Sequence, residues 1–578
     1  MVLNPNGGLI GLVVAYRHPI AFVLLESMSD SAQDHDGKSC SISSDLVSIN
    51  PDVQPGSIVN YMGKPVQVDQ DGYVSPVTSS KTNSDASRPI FVPIPKITDI
   101  GLINTPLVTG ITAIDALTPI GKGQNMLVIG TQEKDTDDDG TVNMSNKRAW
   151  IMNMLKSVVE NDKDLRAKND RGGNVRCFYG LTSSDSKARS TLMKRLATVG
   201  IQDDVVTVVA TQNNGGADEK MARTLEACEA VAVAATACTL GEHHALTTGG
   251  DALVIVDDIN LHKSLWDTTT KQLVEIYGVD SVVKADLQGG SSSEMRGFFS
   301  GLIQRAAKFK ASKGGGSVTL ILLSTLPSDG DLNGGADEGD MVFDPSEFES
   351  MSEKIRTRIS TLVNAKVPLT AANLRKIQIP VPRPSASEDA KRLALQHVED
   401  LISMSDGQIW FDDELAKAGR SPPLDPSRSI TRVGIGADTP CRADAPALRT
   451  VSGSLRFQFQ QASDMITRKD SSAINAPGDT KQLLRQEAYL LAMHQSSNES
   501  RKLSQECVSL IAASRGYFDK VLQEGHKAGT SNGQDVVNGL MKHVELQVGD
   551  TMAAIDDSLE MSLEDMALIE NAIEAYFA

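Results

Sequence analysis

Apolar positions change rhythm twice along the chain. Through about residue 95 they alternate with polar ones in short runs, as at 9–14 and 20–25, separated by Gly, Pro and Asp/Ser clusters. Such period-two runs predict strands and tight turns, here a small N-terminal β-barrel domain over 1–95. The polar stretch 79–88 and the Pro-punctuated 89–95 read as the linker out of it. From about residue 105, β-branched apolar runs recur at 126–129, 175–181, 205–209, 253–256 and 318–323, with helix-length segments between them. In the first interval Ile151, Met154, Leu155, Val158 and Val159 keep helical spacing. Apolar strands alternating with helices predict a parallel sheet covered on both faces, within an α/β domain over 96–438. Ligands on such sheets bind beyond the carboxyl ends of strands, which directs attention to the loops after Ile129 and Val256. An acidic, Gly- and Pro-bearing stretch at about 328–396 reads as an insertion. After about Ala443 the helical rhythm takes over, at 480–493, 501–513 and 535–548. Ser562 with Asp565 three residues on is a capping box that opens the last helix, so 439–578 is expected to be an α-helical domain.

Composition narrows the function classes. The 578 residues are 40% hydrophobic and 22% charged, as in soluble globular proteins. A net charge of −18 and only 4% aromatic residues disfavour nucleic acid, which needs clustered positive surface and stacking platforms. Cys40, Cys177, Cys228, Cys238, Cys441 and Cys507 lack metal-ligand spacing and read as free thiols. The longest apolar stretch, 227–240, is broken by Glu229 and Thr236, so no membrane span is expected. The start, Met1-Val-Leu-Asn-Pro, shows no targeting peptide. His243 and His244 are adjacent and without nearby ligand partners, which suggests a surface loop.

Six segments carry a more specific signal. Pro106-Leu-Val-Thr-Gly-Ile-Thr-Ala-Ile-Asp-Ala-Leu-Thr-Pro-Ile-Gly-Lys-Gly-Gln runs straight into the strand at 126–130. Ala-Leu-Val-Ile-Val-Asp-Asp follows at 252–258, then 301–308 with Gly314-Gly-Gly-Ser-Val-Thr. Asp406-Gly-Gln-Ile leads into Pro422-Pro-Leu-Asp-Pro-Ser-Arg-Ser-Ile-Thr-Arg-Val-Gly, and Arg515-Gly-Tyr-Phe-Asp-Lys lies further on. With Pro55 to Pro65, these segments in this order resemble the α subunit of the F-type ATP synthase over nearly the whole chain, the insertion excepted. Thr431 departs from the family's second Ser. The resemblance implies a barrel, a P-loop-type α/β domain and a helical domain. It also implies a ring in which such chains alternate with catalytic β subunits around a γ shaft. In that ring the chain would be regulatory rather than catalytic, a soluble part of a membrane-attached complex for ATP synthesis and proton transport. Its place would be the inner face of an organelle, mitochondrial matrix or chloroplast stroma. The alternative is a free-standing pseudo-ATPase or scaffold of the same fold outside the ring. An independent ATPase would require a restored P-loop.

The P-loop itself departs. Gly-x-x-x-x-Gly-Lys-[Ser/Thr] lets backbone N–H groups cradle phosphates, Lys neutralise them and a hydroxyl hold Mg²⁺. After Gly130 the chain reads Thr-Gln-Glu-Lys-Asp-Thr-Asp-Asp-Asp-Gly. Counted from the strand, Asp135 falls at the second glycine, Thr136 at the lysine and Asp137 at the hydroxyl. Four carboxylates within 135–139 would repel a triphosphate, and no Gly-Lys-Thr recurs nearby. ATP or ADP with Mg²⁺, implied by the family, is therefore expected to be weakened or lost. The candidate nucleotide-binding residues are Gly130, Lys134 as a substitute cation, and Asp257 at the family's Mg²⁺-side strand end. A solvated strand-end acid is the plainer reading of Asp257. Ser183-Ser-Asp-Ser stands where the family has a Gly-Gln-Lys-Arg run. Arg432 occupies the position of the arginine that the family's α subunit projects into the neighbouring β site, where a guanidinium assists phosphoryl transfer. An ordinary ion-paired arginine is the alternative. Asp135-x-Asp-x-Asp-Gly and Asp329-x-Asp-x-Asn-Gly, the latter continuing to Asp340, also match the first half of a calcium loop. Solvated acidic loops would look the same.

Overall fold

The computed structural model describes residues 2–3, 9–17, 20–25, 41–42, 47–77, 87–131, 146–168, 174–211, 219–278, 290–327, 343–348, 353–364, 367–376, 379, 386–432, 446–453, 455, 457–459, 477–526 and 528–578. In chain order the elements used below are β1 (Leu9–Arg17), β2 (Ile20–Leu25), β3 (Ile58–Asn60), α1 (Thr112–Leu117), β4 (Asn125–Thr131), α2 (Lys147–Lys168), β5 (Val175–Leu181), α3 (Ser186–Val199) and β6 (Val205–Val209). They continue with α4 (Glu219–Thr248), β7 (Asp251–Asp257), α5 (Asn260–Tyr277), β8 (Ser317–Leu326), β9 (Gly407–Trp410), β10 (Ile430–Thr431), α6 (Pro477–Met493), α7 (Leu503–Arg515), α8 (Ser531–Ser558) and α9 (Leu563–Phe577).

Among the described residues nine strands form the central sheet, eight of them along the path β10-β9-β4-β8-β7-β5-β6-β3, with the short strand Ala307–Lys308 pairing antiparallel with β8 off that path. The pairs β4–β9, β5–β6, β5–β7, β7–β8 and β3–β6 are parallel, while β10 closes one edge antiparallel to β9. Strands β4 and β7 are each buried at six of seven positions, which is why their apolar runs do not alternate. Each predicted strand falls within an observed one.

Helix α4 explains the Ala-rich run at 227–240. Small residues let it lie close on the sheet: a side-chain carbon added at Gly241 would sit 2.7 Å from Val254 Cγ2, and one at Gly180 3.2 Å from Ala237 Cβ. The helix is long and apolar enough to cross a membrane by length and composition, yet 83% of its most apolar window is buried inside the protein. A core helix passes the same test. His243 and His244 lie on its last turns rather than in a surface loop, a correction to the sequence reading. His244 is buried, with Nε2 3.0 Å from the Asn174 carbonyl, and burial pushes its pKa down, so it is a neutral core imidazole. The described cysteines 177, 228, 238 and 507 are free and buried.

The N-terminal strands pair as three ladders. One is a four-stranded antiparallel sheet containing β1 and β2, and two are two-stranded. Residues 58–60, expected in the barrel, instead extend the central sheet beside β6. A closed barrel is not among the pairings of the described residues. The C-terminal helices follow the sequence pattern closely, and Ser562 with Asp565 forms the expected reciprocal cap.

Two compact units emerge. One comprises 1–130, 134–324 and 404–578; the other comprises 131–133 and 325–403, overlapping the segment read as an insertion. The second has its own small core of Phe343, Phe348, Ile359, Leu369, Leu374 and Ile379.

Candidate functional site

The carboxyl ends of β4, β7 and β5 and the first turn of α2 meet on one side of the sheet, where a parallel α/β fold presents its ligand crevice. Strand β4 delivers Gly130, and α2 begins with Lys147 and Arg148. Gly130 packs tightly against this helix: an added side-chain carbon would stand 3.0 Å from Lys147 Cδ. Lys147 is 4% exposed and its Nζ donates to the Gly130 carbonyl at 2.8 Å and to the Ser324 carbonyl at 3.1 Å.

Lys147 and Arg148 are the residues at this strand end that the sequence reading missed. Counting forward from the strand placed the lysine position at Thr136, whereas the helix that must follow the loop begins at Lys147. The signal was available as Asn146-Lys147-Arg148 immediately before the apolar repeat of the helix, without the flanking glycine and hydroxyl that make the motif recognisable. Lys134, the residues 135–139 and the segment from Asp329 to Asp340 lie outside the described residues.

Asp257 is not a solvated strand-end acid. It is 2% exposed, and both carboxylate oxygens are engaged from within the chain. Arg148 grips it with two nitrogens, Nε 2.8 Å from Oδ2 and Nη2 2.9 Å from Oδ1. The Tyr179 hydroxyl donates to Oδ2 at 2.7 Å. Burial pushes the Asp257 carboxyl up, but the charge and hydrogen bonds of Arg148, the Tyr179 hydroxyl and the Lys147 charge more than offset it and hold the group ionised below the usual range. Tyr179, buried beside that carboxylate, is driven well above its ordinary pKa and stays a donor. The Thr182 N–H donates to the Asp257 carbonyl at 2.8 Å, tying the ends of β5 and β7 together.

The segment 183–186 is likewise satisfied internally. Asp185 caps α3 by accepting from the Lys187 N–H at 3.1 Å, and the Ser184 N–H and hydroxyl both donate to Glu226. Arg189, fully buried, donates to the carbonyls of Gly72, Ser184 and Ala210.

A divalent ion would need carboxylate and hydroxyl oxygens turned towards an open position. At this strand end the carboxylate is already paired, and the residue after Lys147 carries a guanidinium instead of a hydroxyl, so the side chains do not fit a Mg²⁺ site. Among the described residues no group of three or more His, Cys, Asp or Glu could hold a metal.

Arg432 sits elsewhere. It directly follows edge strand β10, its side chain is exposed, and its Nη1 donates to the Ser405 carbonyl at 2.8 Å. Its backbone N–H donates to the Asp406 carbonyl, and Asp406 in turn accepts from the Asn125 N–H and side-chain amide. Thr431 is buried and accepts from Gln124 Nε2 at 2.8 Å, so the hydroxyl that replaces serine pins this edge to the start of β4. Arg428 stacks 3.3 Å over the Trp410 ring. Four strand spacings separate β10 from β7 across the sheet, about 19 Å at ~4.8 Å each, and Arg432 lies beside Asp406 and Asn125 at the amino ends of β9 and β4, the end opposite the one that carries Asp257. The structure therefore brings Gly130 and Asp257 together and leaves Arg432 apart from them.

Comparison with known proteins agrees with the resemblance drawn from the motifs. No protein-family profile matches the chain. Over 516 residues, 89% of its length, the chain is 21% identical to ATP synthase subunit alpha of Clostridium botulinum strain Eklund 17B / Type B, covering 78% of that protein. The figures are the same for ATP synthase subunit alpha of the Alaska E43 / Type E3 strain. The chain is a distant relative of ATP synthase subunit alpha.

Proposed function

We propose that this chain is a non-catalytic, α-like subunit of an F-type ATP synthase head, alternating with β subunits around γ and supporting ATP turnover at the neighbouring β site. Its N-terminal β unit would form the barrel of such a subunit, and the complex would lie against an energy-transducing organellar membrane. The observation that carries this reading is the placement of Arg432. An exposed guanidinium at the sheet edge, four strand spacings or about 19 Å across the sheet from β7 and at the end opposite Asp257, supports the reading that it serves a site on another subunit. An arginine supplied in this way stabilises charge on a transferring phosphoryl group. Within the chain, Lys147 is turned to carbonyls and Asp257 to Arg148, which supports loss of Mg-nucleotide chemistry at its own site.

Native mass spectrometry of the complex isolated from its source tests the assignment. A mass matching three copies of this chain with three β subunits and γ is expected. A chain that is recovered alone, with β and γ in other assemblies, overturns the ring reading.

A further inference from the structure

We propose that Arg148 is a built-in replacement for the divalent cation of a P-loop site, so that this strand end is electrostatically complete without metal and any nucleotide reaching it binds independently of Mg²⁺. The inference deepens the functional reading above, yet it rests on the local geometry and does not require ring membership.

Three observations carry it. First, the position: a P-loop places its metal-binding hydroxyl directly after the lysine that opens the helix. Here α2 opens with Lys147, whose stem packs over Gly130, and the next residue is Arg148. Second, the geometry: the guanidinium reaches from the first turn of α2 to the end of β7 and meets Asp257 with Nε and Nη2 at 2.8 and 2.9 Å. That fork engages both carboxylate oxygens at once, as a planar guanidinium can and an ammonium cannot. Tyr179 takes a remaining lone pair at 2.7 Å. Third, the charge: Asp257 is 2% exposed and Arg148 is 21% exposed, so the carboxylate is neutralised in a poorly solvated place. A divalent ion would have to expel the guanidinium from a buried carboxylate and then stand near both the displaced Arg148 and the Lys147 ammonium. Coulomb repulsion at these separations opposes such an exchange strongly.

Mn²⁺ titration of the full-length chain, followed by electron paramagnetic resonance with and without ADP, tests the proposal, with thermal unfolding as a second readout. In the unaltered chain no Mn²⁺ is expected to bind the protein, so that free Mn²⁺ without ADP matches buffer and with ADP matches the level set by ADP alone in solution. ADP affinity should change by less than about twofold on adding Mg²⁺ or EDTA. Arg148→Thr should create a bound-Mn²⁺ signal in the presence of ADP and make ADP binding at least about tenfold tighter with Mg²⁺ than without. If Arg148→Thr does not fold, the unaltered chain still decides. A bound Mn²⁺ that disappears in Asp257→Asn overturns the proposal, and its absence supports it. The outcome is separable from ring membership, because a metal-binding chain could still co-purify with β subunits and a metal-free one could fail to.

Discussion

Two arginines around the same sheet sit in opposite situations. Arg148 stands at the carboxyl end of the central strands and is spent inside the chain, its fork closed on Asp257. Arg432 stands past the edge strand, held at one nitrogen by the Ser405 carbonyl, with its side chain exposed. A guanidinium satisfied by a buried carboxylate has little left for a ligand, and its removal exposes an uncompensated charge. A guanidinium at a solvated edge contributes little to its own fold and is available to a partner. The contrast separates an internal structural cation from an outward one proposed to act on a partner, and each half makes a different demand on mutants.

The largest effect is expected at the outward arginine. Arg432→Ala in the assembled complex should leave the ring intact and lower ATP turnover by ~10³-fold or more, the range seen when an arginine finger is lost. Urea denaturation of the isolated chain should shift by no more than about 0.5 kcal/mol, as for surface positions. Steady-state turnover that is unchanged would remove the functional half of the contrast. The inward arginine should behave inversely. Arg148→Ala is expected to cost about 3 kcal/mol of stability, because it strands the buried Asp257 carboxylate, while the double variant Arg148→Ala/Asp257→Asn recovers most of that loss. Equal destabilisation in the single and double variants would show that the pair is not coupled. Tyr179→Phe removes one donor to the same carboxylate and should cost about 1.5–3 kcal/mol, read from the same denaturation curves.

Much of this arrangement was legible in the sequence, and the missing part has a definite cause. The strands at 126–129, 175–181, 205–209, 253–256 and 318–323 were readable because a doubly covered strand shows an unbroken apolar run. The helices after Ala443 were readable from period and caps. Asp257 was placed correctly at a strand end, but its partners were not, since Arg148 lies 109 positions away and Tyr179 lies 78 away. Lys147 was hidden because the polar stretch after Gly130 is longer than a standard P-loop, so counting from the strand reached the acidic residues first. Counting backwards from the helix would have found it. His244 was misread because a histidine pair inside an Ala-rich helix leaves no periodic trace, and only burial against the Asn174 carbonyl defines its role.

The contrast between a compensated and an uncompensated buried charge can be sharpened at a second acidic centre. Asp115 on α1 accepts from the Thr109 N–H and hydroxyl and from the Gly110 N–H, and the fully buried Glu506 on α7 lies beside it. Unlike Asp257, this pair has no guanidinium gripping it. Arg501 acts on Glu506 only at a distance, with its own Nε on Glu499, and Asp556 adds a further negative charge. Burial pushes Asp115 up to about 7 despite its hydrogen bonds, and burial together with the Asp115 charge pushes Glu506 well above the ordinary carboxylate range. Asp115 has the donors, so burial and the neighbouring Asp115 charge favour the proton on Glu506. Both folded-state values lie above the unfolded ones, so the pair's contribution is fully present below about pH 4 and is lost as pH rises towards and through about 7. Glu506→Gln supplies a donor that does not titrate. Its denaturation midpoint should therefore fall less between pH 5 and 8 than that of the unaltered chain, by up to about 1.4 kcal/mol per pH unit for one proton. Parallel pH profiles for the two proteins would mean that Glu506 does not take up the titrating proton and that Asp115 alone accounts for the pH dependence.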